Sequence, residues 1–432
     1  MICADCVTSE TLKRLVRAGG APGTCGYCNK DAAVITSRAL FDYIYAHVRK
    51  NVAFEGDLSD FEYNMLYIGG SDEIEVSSYE VVLGEWFDLG EEVYFHDLCA
   101  HVPEDFRINS RQQETHFYRD VGQLERNIYE DRWGRFVEGI RHAHRFFNPD
   151  AGAFLDAVFE LLATQGNRLK ADVIRTLGHG TPLYRARNVS SRANAQEIAD
   201  HPAVQLGATP KNKASSQRMT PSGISALYCA LERATCLSEI RSITGDDVVS
   251  VAVTPVSEIQ LLDLTMLERV EPAQLTSMAE GYLDALHLKT FLKSLVKKMS
   301  RPKGRNDDLS YLSTQVVFEY LRLRFGDQVD GLVFPSVQTG EQGTNVVLFP
   351  EASLIGAGGR DHAGEDTIAC VTDADTSPAP RIKLEVVAGS LRFHRVRAIR
   401  TEADTYQSLH DLYLSDVTRR QLGLSVRAQL EP

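Results

Sequence analysis

The sequence predicts a multidomain protein, in which an N-terminal four-cysteine knuckle and a mainly α-helical domain precede an α+β domain. The chain of 432 residues is long enough for two or three domains, each with its own core. Two Cys-x-x-Cys pairs lie near the N-terminus, and helical periodicity gives way to short β-branched runs near Gly166. The predicted segments are the knuckle 1–31, the helical domain 32–165, the α+β domain 166–400 with a C-terminal hairpin, and a C-terminal helical tail 401–432.

The composition is that of a globular protein with an acidic surface. Hydrophobic residues make up 43% of the chain, charged residues make up 24%, and the net charge is −13. This charge argues against a broad electrostatic grip on nucleic acid or an anionic membrane, but it allows a local basic pocket for a small anion. The N-terminus lacks signal-peptide features, and no stretch approaches the roughly 18 consecutive apolar residues of a membrane span. We therefore expect a cytoplasmic protein without a membrane partner.

Four of the eight cysteines form two tight pairs. Cys3 and Cys6 precede Cys25 and Cys28 with eighteen residues between the pairs, a spacing typical of a four-thiolate zinc site. We expect a structural zinc ion, because a closed shell of four cysteines leaves no coordination position open for chemistry. Gly26 is expected to supply the turn of the second knuckle. Uncoordinated thiols or a redox-active cysteine pair are the alternatives.

Residues 32–165 are predicted to be mainly helical. Apolar residues recur at helical spacing in the segments 35–52, 124–147 and 150–164. Asn148 and Pro149 precede the last segment and predict a helix start there.

A second group of metal-ligand types lies between the first two helical segments. His96, Cys99 and His101 fall within six residues and are candidate ligands. Three side chains in a segment of irregular pattern are weak evidence, so ordinary packing or solvent exposure is the favoured interpretation.

The pattern after Gly166 predicts an α+β domain, because short β-branched runs alternate with helical segments. The polar stretch 190–216 predicts a mobile loop near the entrance of a site. Residues 381–402 are predicted to form a β-hairpin, and residues 404–416 a closing helix.

The segment from Arg218 to Arg241 places three complementary side chains on one turn–strand–helix unit. Arg218, Tyr228 and Glu239 follow at intervals of ten and eleven residues. The arginine can bind pyrophosphate in a bidentate way, the phenol can stack on a planar base, and the carboxylate can stabilise a cation. The alternative is a surface arginine, a half-buried strand tyrosine and a solvated helix glutamate.

Further polar residues lie on predicted strands before and after this segment. Arg185 and Arg187 alternate on one short strand and therefore face the same side. Ser336 ends a strand that a glycine-containing loop follows, and Asn345 begins the next strand. Binding residues commonly lie at such positions.

The order of these blocks resembles the RES domain, a family named after an arginine, a glutamate and a serine. The series is Tyr-Arg, Arg-x4-Gly-x4-Tyr, a glutamate on the next helix, Tyr-x-x-Thr-Gln, Asp-Gly-x-x-x-Pro-Ser and Gly-x-Asn-x-Val-Leu-Phe, and it covers about residues 180–350. Gln217 is one difference, because the family often has glycine before its second arginine. The resemblance implies a fold similar to ADP-ribosyltransferases and an activity that consumes NAD+.

The resemblance also implies a biological role and partners. Many members are toxins of bacterial toxin–antitoxin pairs that deplete NAD+ by hydrolysis or phosphorolysis, whereas some transfer ADP-ribose to a protein. The additional N-terminal residues suggest built-in control, as in an antiphage defence effector. An antitoxin or regulatory protein is therefore an expected partner, and a homodimer remains open.

By position, the family implies a set of site residues. The implied catalytic residues are Arg218, Tyr228, Glu239 and Ser336, and the implied substrate-binding residues are Arg185 and Asn345. The two arginines would bind the pyrophosphate, Tyr228 would stack on the nicotinamide, and the serine and asparagine would hold ribose or amide groups.

The carboxylate has the central role in this chemistry. Cleavage of the nicotinamide–ribose bond passes through an oxocarbenium-like transition state, in which positive charge grows on the ribose as the neutral base departs. Glu239 would stabilise that charge. Glu232, about two turns earlier on the same predicted helix, is the rival for this role.

A function of another class is a zinc-ribbon nucleic-acid sensor or a HEPN-like ribonuclease with an inactive RES portion. The helical region resembles N-terminal domains that accompany some RES proteins, and Arg135 and His142 match the short arginine–histidine spacing of HEPN ribonucleases. Lys13, Arg14 and Arg17 add basic charge between the cysteine pairs. The acidic chain weighs against this function, so nucleic acid is expected only as a trigger.

Overall fold

The computed structural model describes residues 1–58, 75–109, 112–119, 122, 127–270, 277–279, 281–300, 309–340, 342–356 and 382–399. The described residues form two compact units. One contains residues up to 131 together with residues 277–291, and the other contains residues 132–270 and 292–399. The predicted segment boundaries at residues 31 and 165 stay predictions. The predicted C-terminal tail 401–432, with its closing helix, lies outside the described residues.

The described α-helices are α1 (Glu10–Gly19), α2 (Ser37–Asn51), α3 (Tyr79–Val81), α4 (Phe95–Ala100), α5 (Glu104–Arg107), α6 (Ile128–Glu138), α7 (Pro149–Phe159), α8 (Arg192–Asp200), α9 (Pro202–Gln205), α10 (Arg233–Glu239), α11 (Tyr282–Ser300) and α12 (Leu312–Phe325). None of the described helices combines the length and apolar character that crossing a membrane requires.

The described strands are β1 (Ile2–Cys3), β2 (Ala21–Thr24), β3 (Asp31–Ile35), β4 (Ala53–Phe54), β5 (Val76–Ser77), β6 (Phe117–Tyr118), β7 (Ile174–Leu177), β8 (Leu183–Val189), β9 (Leu227–Ala230), β10 (Asp247–Pro255), β11 (Ile259–Asp263), β12 (Gly331–Ser336), β13 (Gly343–Leu348), β14 (Leu354–Gly356), β15 (Ile382–Val386) and β16 (Arg392–Arg395).

The first unit packs helices on two small sheets. The strand orders are β1-β3-β2 and β4-β6-β5, and sequence periodicity predicted neither of these sheets. Helix α2 begins where the Thr36 side chain accepts a hydrogen bond from the Ala39 N–H group (3.2 Å). Its buried face, which includes Phe41 and Tyr45, lies in an aromatic-rich core with Phe106 and Phe117. Burial of these side chains stabilises the unit mainly through the hydrophobic effect.

The predicted helix start at Asn148 and Pro149 is confirmed. The Asn148 side chain accepts a hydrogen bond from the Ala151 N–H group (3.0 Å), and Pro149 is the first residue of α7. Proline suits this position because its missing N–H group would have no helical partner.

The second unit is built around one mixed sheet, so the predicted combination of helices and strands is confirmed. The strand order is β14-β15-β10-β8-β9-β13-β12-β11-β7, and β16 also pairs with β10. Neighbouring strands are antiparallel except for the parallel pairs β11–β12 and β14–β15. Strand β10 is buried along almost its whole length, as expected of a central strand.

The predicted hairpin within residues 381–402 is wrong in its pairing. Strands β15 and β16 both run antiparallel to β10 along the same edge, with Val386 opposite Val253 and Arg395 opposite Asp247. They therefore form one interrupted strand and do not pair with each other. Both strands carry the correct local pattern, but the pattern does not say which neighbour completes their hydrogen bonds.

The predicted mobile loop 190–216 is also partly wrong, because it contains α8 and α9. The Ser191 hydroxyl accepts a hydrogen bond from the Asn194 N–H group (3.1 Å) and starts α8. Ile198 is buried in the core of this unit, so packing of one apolar residue stabilises a helix in a polar sequence.

The sheet opens between β8 and β9. These strands pair at a single position, Tyr184 opposite Ala230, whereas β8 pairs with β10 over seven residues. Beyond that pair the Arg185 guanidinium donates a hydrogen bond to the Tyr228 carbonyl oxygen (2.6 Å). The Arg185 side chain thus donates the hydrogen bond that the backbone of β8 does not supply to this carbonyl group.

The close contact between α10 and β13 requires glycine at position 343. A Cβ atom on Gly343 would lie 2.7 Å from Thr235 Cγ2 and 2.8 Å from Thr339 Oγ1. Real Cβ atoms essentially never come so close to another heavy atom, so the threonine side chains or the elements that carry them would have to shift.

We expect Gly343→Ala to lower the free energy of unfolding by about 1–3 kcal/mol, since the added methyl group overpacks this contact. Gly178→Ala is the matched control, because a Cβ atom at Gly178 meets nothing within 4 Å. Its effect should stay within about 0.5 kcal/mol. Chemical denaturation of both variants measures the difference, and equal stabilities would contradict the proposed contact.

Candidate active site

A cavity of about 450 Å³ lies at the opening between β8 and β9. Its lining includes residues of β8, β9, β12, β13 and α10, together with the loop that precedes β9. Arg185, Arg218, Tyr228, Glu239 and Asn345 all line it. The structure therefore brings together five of the six site residues that the sequence predicted for the α+β domain.

The sixth residue, Ser336, does not line the cavity but contacts the Glu239 carboxylate. The Ser336 hydroxyl donates a hydrogen bond to Glu239 Oε1 (2.6 Å), and the Asn345 side-chain amide donates a second to the same oxygen (2.6 Å). Ser336 is fully buried and Asn345 is 5% exposed. The two bonds fix the orientation of the carboxylate, because both donors belong to paired strands.

Strand register explains why the serine and the asparagine reach one point. In the antiparallel pair β12–β13, Phe334 lies opposite Asn345 and Ser336 lies opposite Gly343. Residues two positions apart on a strand share a face, so Ser336 and Asn345 are diagonal neighbours on one face of the sheet. Gly343 lets α10 approach this face closely enough for Glu239 to meet both donors.

Arg218 lies in a loop that contacts helix α12 and strands β9 and β12. The Gln315 side-chain amide donates to the Gln217 carbonyl (2.7 Å) and to the Ser216 hydroxyl (2.9 Å). The Thr314 hydroxyl donates to the Arg218 carbonyl (2.6 Å). The Arg218 guanidinium lies 6.0 Å from the centre of the Phe334 ring, and the residue is 8% exposed. This arginine is positioned before any ligand arrives.

Tyr228 contributes its hydroxyl to the same loop. The hydroxyl oxygen accepts a hydrogen bond from the Met219 N–H group (3.1 Å) and is 3.2 Å from the Thr220 hydroxyl. Burial raises the pKa of Tyr228, so the phenol stays protonated at neutral pH. Tyr228 lines the cavity, where stacking of its ring on a base stays a prediction, and its hydroxyl binds the Arg218 loop.

Arg185 offers hydrogen-bonding capacity that the protein does not use. One terminal nitrogen donates to the Tyr228 carbonyl, whereas the Nε–H group is buried and has no partner among the described residues. Burial lowers the pKa of Arg185, but a guanidinium stays charged in proteins. A buried charge without a counter-ion is costly unless a ligand supplies one.

The rival carboxylate, Glu232, has a different function in the structure. The prediction that Glu232 lies on the same helix as Glu239 is wrong, because Glu232 directly precedes Arg233, the first residue of α10. Glu232 is exposed and does not line the cavity. Its side chain accepts hydrogen bonds from the Thr235 hydroxyl and the Thr344 N–H group, both at 2.9 Å. Glu232 therefore ties the start of α10 to β13.

Three residues had a role that sequence reasoning did not assign. Thr314 and Gln315 belong to the Tyr-x-x-Thr-Gln block, and both are almost fully buried. Tyr311, the first residue of that block, lines the cavity. The block itself was the available signal, because buried polar residues at the start of an apolar helix need partners nearby.

The four N-terminal cysteines form a cluster that can hold a metal ion. The Sγ atoms of Cys3, Cys6, Cys25 and Cys28 all lie within 4.8 Å of one another. The Cys3–Cys28 distance is 3.6 Å and the Cys6–Cys25 distance is 3.8 Å. Zn–S bonds of about 2.3 Å in a tetrahedron require Sγ–Sγ distances of about 3.8 Å, whereas a disulfide requires about 2 Å. The donor set fits zinc.

Backbone geometry supports this cluster. Burial raises the pKa of Cys25, but N–H groups of Cys28, Tyr27 and Cys3 outweigh that effect and lower the pKa to about 6. Gly26 lies in the turn of the second knuckle, as predicted, but the residue with positive φ there is Asn29 (φ 58°). Asparagine tolerates the left-handed region because its side chain can bond locally.

The remaining candidates do not form sites in the described part of the chain. There the four cysteines are the one group of three or more potential metal ligands. His96 is exposed, and His101 lies 3.9 Å from the Asp42 carboxylate. Arg135 and His142 are both exposed and do not line the cavity.

Comparison with protein families agrees with the geometry of the second unit. The family model of the RES domain matches residues 182–360. This range contains β8, the Arg218 loop, β9, α10, α12 and the pair β12–β13, and it includes all six predicted site residues. The match supports the assignment of this part of the chain to the RES domain family. The comparison with curated proteins found no match.

We expect the purified protein to contain about one zinc ion per chain, because the cysteine cluster fits a closed tetrahedral shell. Cys25→Ser should lose the metal and lower the melting temperature, and a chelator should have the same effect on the parent protein. Cys99→Ser is the control, since Cys99 lies outside the cluster. Elemental analysis and thermal melting test this, and an equally stable metal-free protein would contradict it.

We expect Tyr228→Phe to weaken binding of inorganic pyrophosphate about tenfold, because the loop of Arg218 loses the hydroxyl that orders it. Gln315→Ala should act in the same direction, and the double variant should be less than additive if both side chains order one loop. Calorimetric titration measures the affinities. Unchanged pyrophosphate binding by Tyr228→Phe would contradict a role of the hydroxyl in ordering the loop of Arg218.

Proposed function

We propose that the protein is an NAD-degrading enzyme that cleaves the nicotinamide–ribose bond. The observation that carries this proposal is the Glu239 carboxylate, oriented by Ser336 and Asn345 at the wall of a cavity that arginines line. A fixed carboxylate suits a reaction whose transition state gains positive charge, and arginines suit a substrate with a pyrophosphate. The RES domain match supports an NAD-related function.

The hydrogen bonds to Glu239 define how the carboxylate would act. Both donors bind Oε1, and Oε2 has no partner among the described residues. Oε2 is therefore the oxygen that would face the ribose, where it stabilises the oxocarbenium-like charge or accepts a bond from a ribose hydroxyl. Because its orientation is fixed beforehand, little reorganisation is needed as the charge develops.

The arginines would position the substrate. The loop contacts hold the backbone of Arg218, and the Tyr228 carbonyl holds the Arg185 guanidinium. Guanidinium groups bind phosphate oxygens in a bidentate way, so this pair would anchor the pyrophosphate and bring the scissile bond to Glu239. Tyr228 or Tyr311 offers a ring for the nicotinamide.

The zinc cluster would have a structural role, because its four thiolates complete the coordination shell. The N-terminal unit would then sense a trigger or bind an antitoxin or regulatory protein. We propose that the protein is a cytoplasmic toxin or antiphage defence effector. Such a protein needs its activity restrained until a signal arrives, and the N-terminal unit would provide this restraint.

We expect Glu239→Gln to lower kcat for nicotinamide release at least about 100-fold, because the neutral amide cannot stabilise a developing cation. Glu232→Gln is the matched control and should keep most of the activity, since Glu232 lies outside the cavity. Chromatography of nicotinamide released from NAD+ measures both. Equal loss in the two variants, or no release by the parent protein, would refute the proposed role.

The products of the same reaction identify the acceptor. Free ADP-ribose indicates a glycohydrolase, ADP-ribose 1″-phosphate formed in added phosphate indicates a phosphorylase, and labelled protein indicates an ADP-ribosyltransferase. All three pass through the same cleavage step, so each is compatible with the role of Glu239.

A further inference from the structure

The charge of the cavity exceeds what a pyrophosphate requires. Arg185, Arg187, Arg218 and Arg241 line it, and Glu239 is the one acidic residue among the described lining residues. No ion pair of these four arginines occurs in the described part of the chain. If the proposed function is right, Arg185 and Arg218 serve the pyrophosphate, which leaves two guanidinium groups for another anion.

The two remaining arginines belong to adjacent segments. Arg187 follows Arg185 by two residues on β8, and Arg241 follows Glu239 by two residues at the end of α10. The Ser242 hydroxyl donates to the Asn188 side-chain oxygen (2.6 Å), which joins the two segments directly beside these arginines. Burial lowers the pKa of Arg187, as expected of a cation that is partly desolvated without a counter-ion.

The backbone of Arg241 is an independent sign of function. Its φ of 49° lies in the left-handed region, directly after the last turn of α10. Glycine normally occupies this position after a helix, because a side chain there is strained. Strained backbone at a cavity wall is a common feature of binding sites. Here the strain allows a charged side chain to line the cavity where glycine would fold more easily.

We propose that Arg187 and Arg241 form a second anion subsite, which binds a phosphate group in addition to the pyrophosphate. The proposal rests on the proposed function for the assignment of Arg185 and Arg218. Both residues line one cavity on segments that the Ser242–Asn188 hydrogen bond joins, and guanidinium groups bind the oxygens of a phosphate dianion. The phosphate belongs either to the substrate, as the 2′-phosphate of NADP+, or to the solution, as inorganic phosphate that binds beside the dinucleotide.

The test is calorimetric binding to full-length Glu239→Gln, which keeps all four arginines but should not cleave the ligand. NAD+, NADP+ and inorganic phosphate are titrated separately, and NAD+ is also titrated in the presence of phosphate. The same titrations are repeated with double variants that combine Glu239→Gln with Arg187→Ala or with Arg241→Gly. The control combines Glu239→Gln with Arg192→Ala. Arg192 is exposed and does not line the cavity.

One of two results supports the subsite. NADP+ binds about tenfold more tightly than NAD+, and either subsite variant removes that preference; the phosphate then comes from the substrate. Alternatively NAD+ and NADP+ bind alike, phosphate binds to the parent and to its NAD+ complex, and either variant weakens phosphate binding about tenfold; the phosphate then comes from solution. Equal affinities in parent and subsite variants, or the same loss in Arg192→Ala, overturn the proposal.

Two further readouts separate this test from folding and from catalysis. Arg241→Gly should melt at the same or a higher temperature than its parent, because glycine relieves the left-handed strain. Weaker binding then reflects the lost guanidinium and not a damaged fold. Inorganic phosphate binding does not depend on NAD+ cleavage, so a protein without nicotinamide release would refute the proposed function and still report on the subsite.

Discussion

The opening of the sheet between β8 and β9 is the constraint on which the candidate site depends. The two strands pair at one position, and the Arg185 guanidinium binds the Tyr228 carbonyl where further backbone pairing would otherwise close the gap. A continuous sheet would fill this place with paired backbone and leave no cavity. The same arginine therefore keeps the strands apart, satisfies a carbonyl group and presents unused hydrogen-bonding capacity to a ligand.

Around this opening, separate elements deliver one chemical group each to a common point. Helix α10 supplies Glu239, strand β12 supplies Ser336 and strand β13 supplies Asn345. Gly343 lets the helix approach the strands, and Glu232 ties the start of the helix to β13. Rigid secondary structure thus positions the carboxylate, while a loop that three elements clamp positions Arg218. This division explains why buried polar residues are numerous here.

The charge distribution connects the site with the whole chain. A protein of net charge −13 repels anions at long range, yet its cavity concentrates arginines around one carboxylate. Local guanidinium groups in a partly desolvated cavity outweigh distant surface charges, because salt screens the interaction with charges more than about 10 Å away. The N-terminal cysteine cluster is a separate feature: it can hold a metal ion, and Cys6 packs against the hydrophobic core of the first unit.

The sequence by itself determined what depends on local pattern: the spaced cysteine pairs, the cap at Asn148, the mixture of helices and strands, and the ordered blocks that carry the site residues. Tertiary structure decided which distant groups meet. Glu239 and Ser336 are 97 residues apart in the chain, and no local pattern separates Glu239 from Glu232. The pairing of β15 and β16, the helix α8 and the role of the Tyr228 hydroxyl were decided in the same way. Periodicity fixes the type of an element, but hydrogen-bond partners come from residues that only folding brings into contact.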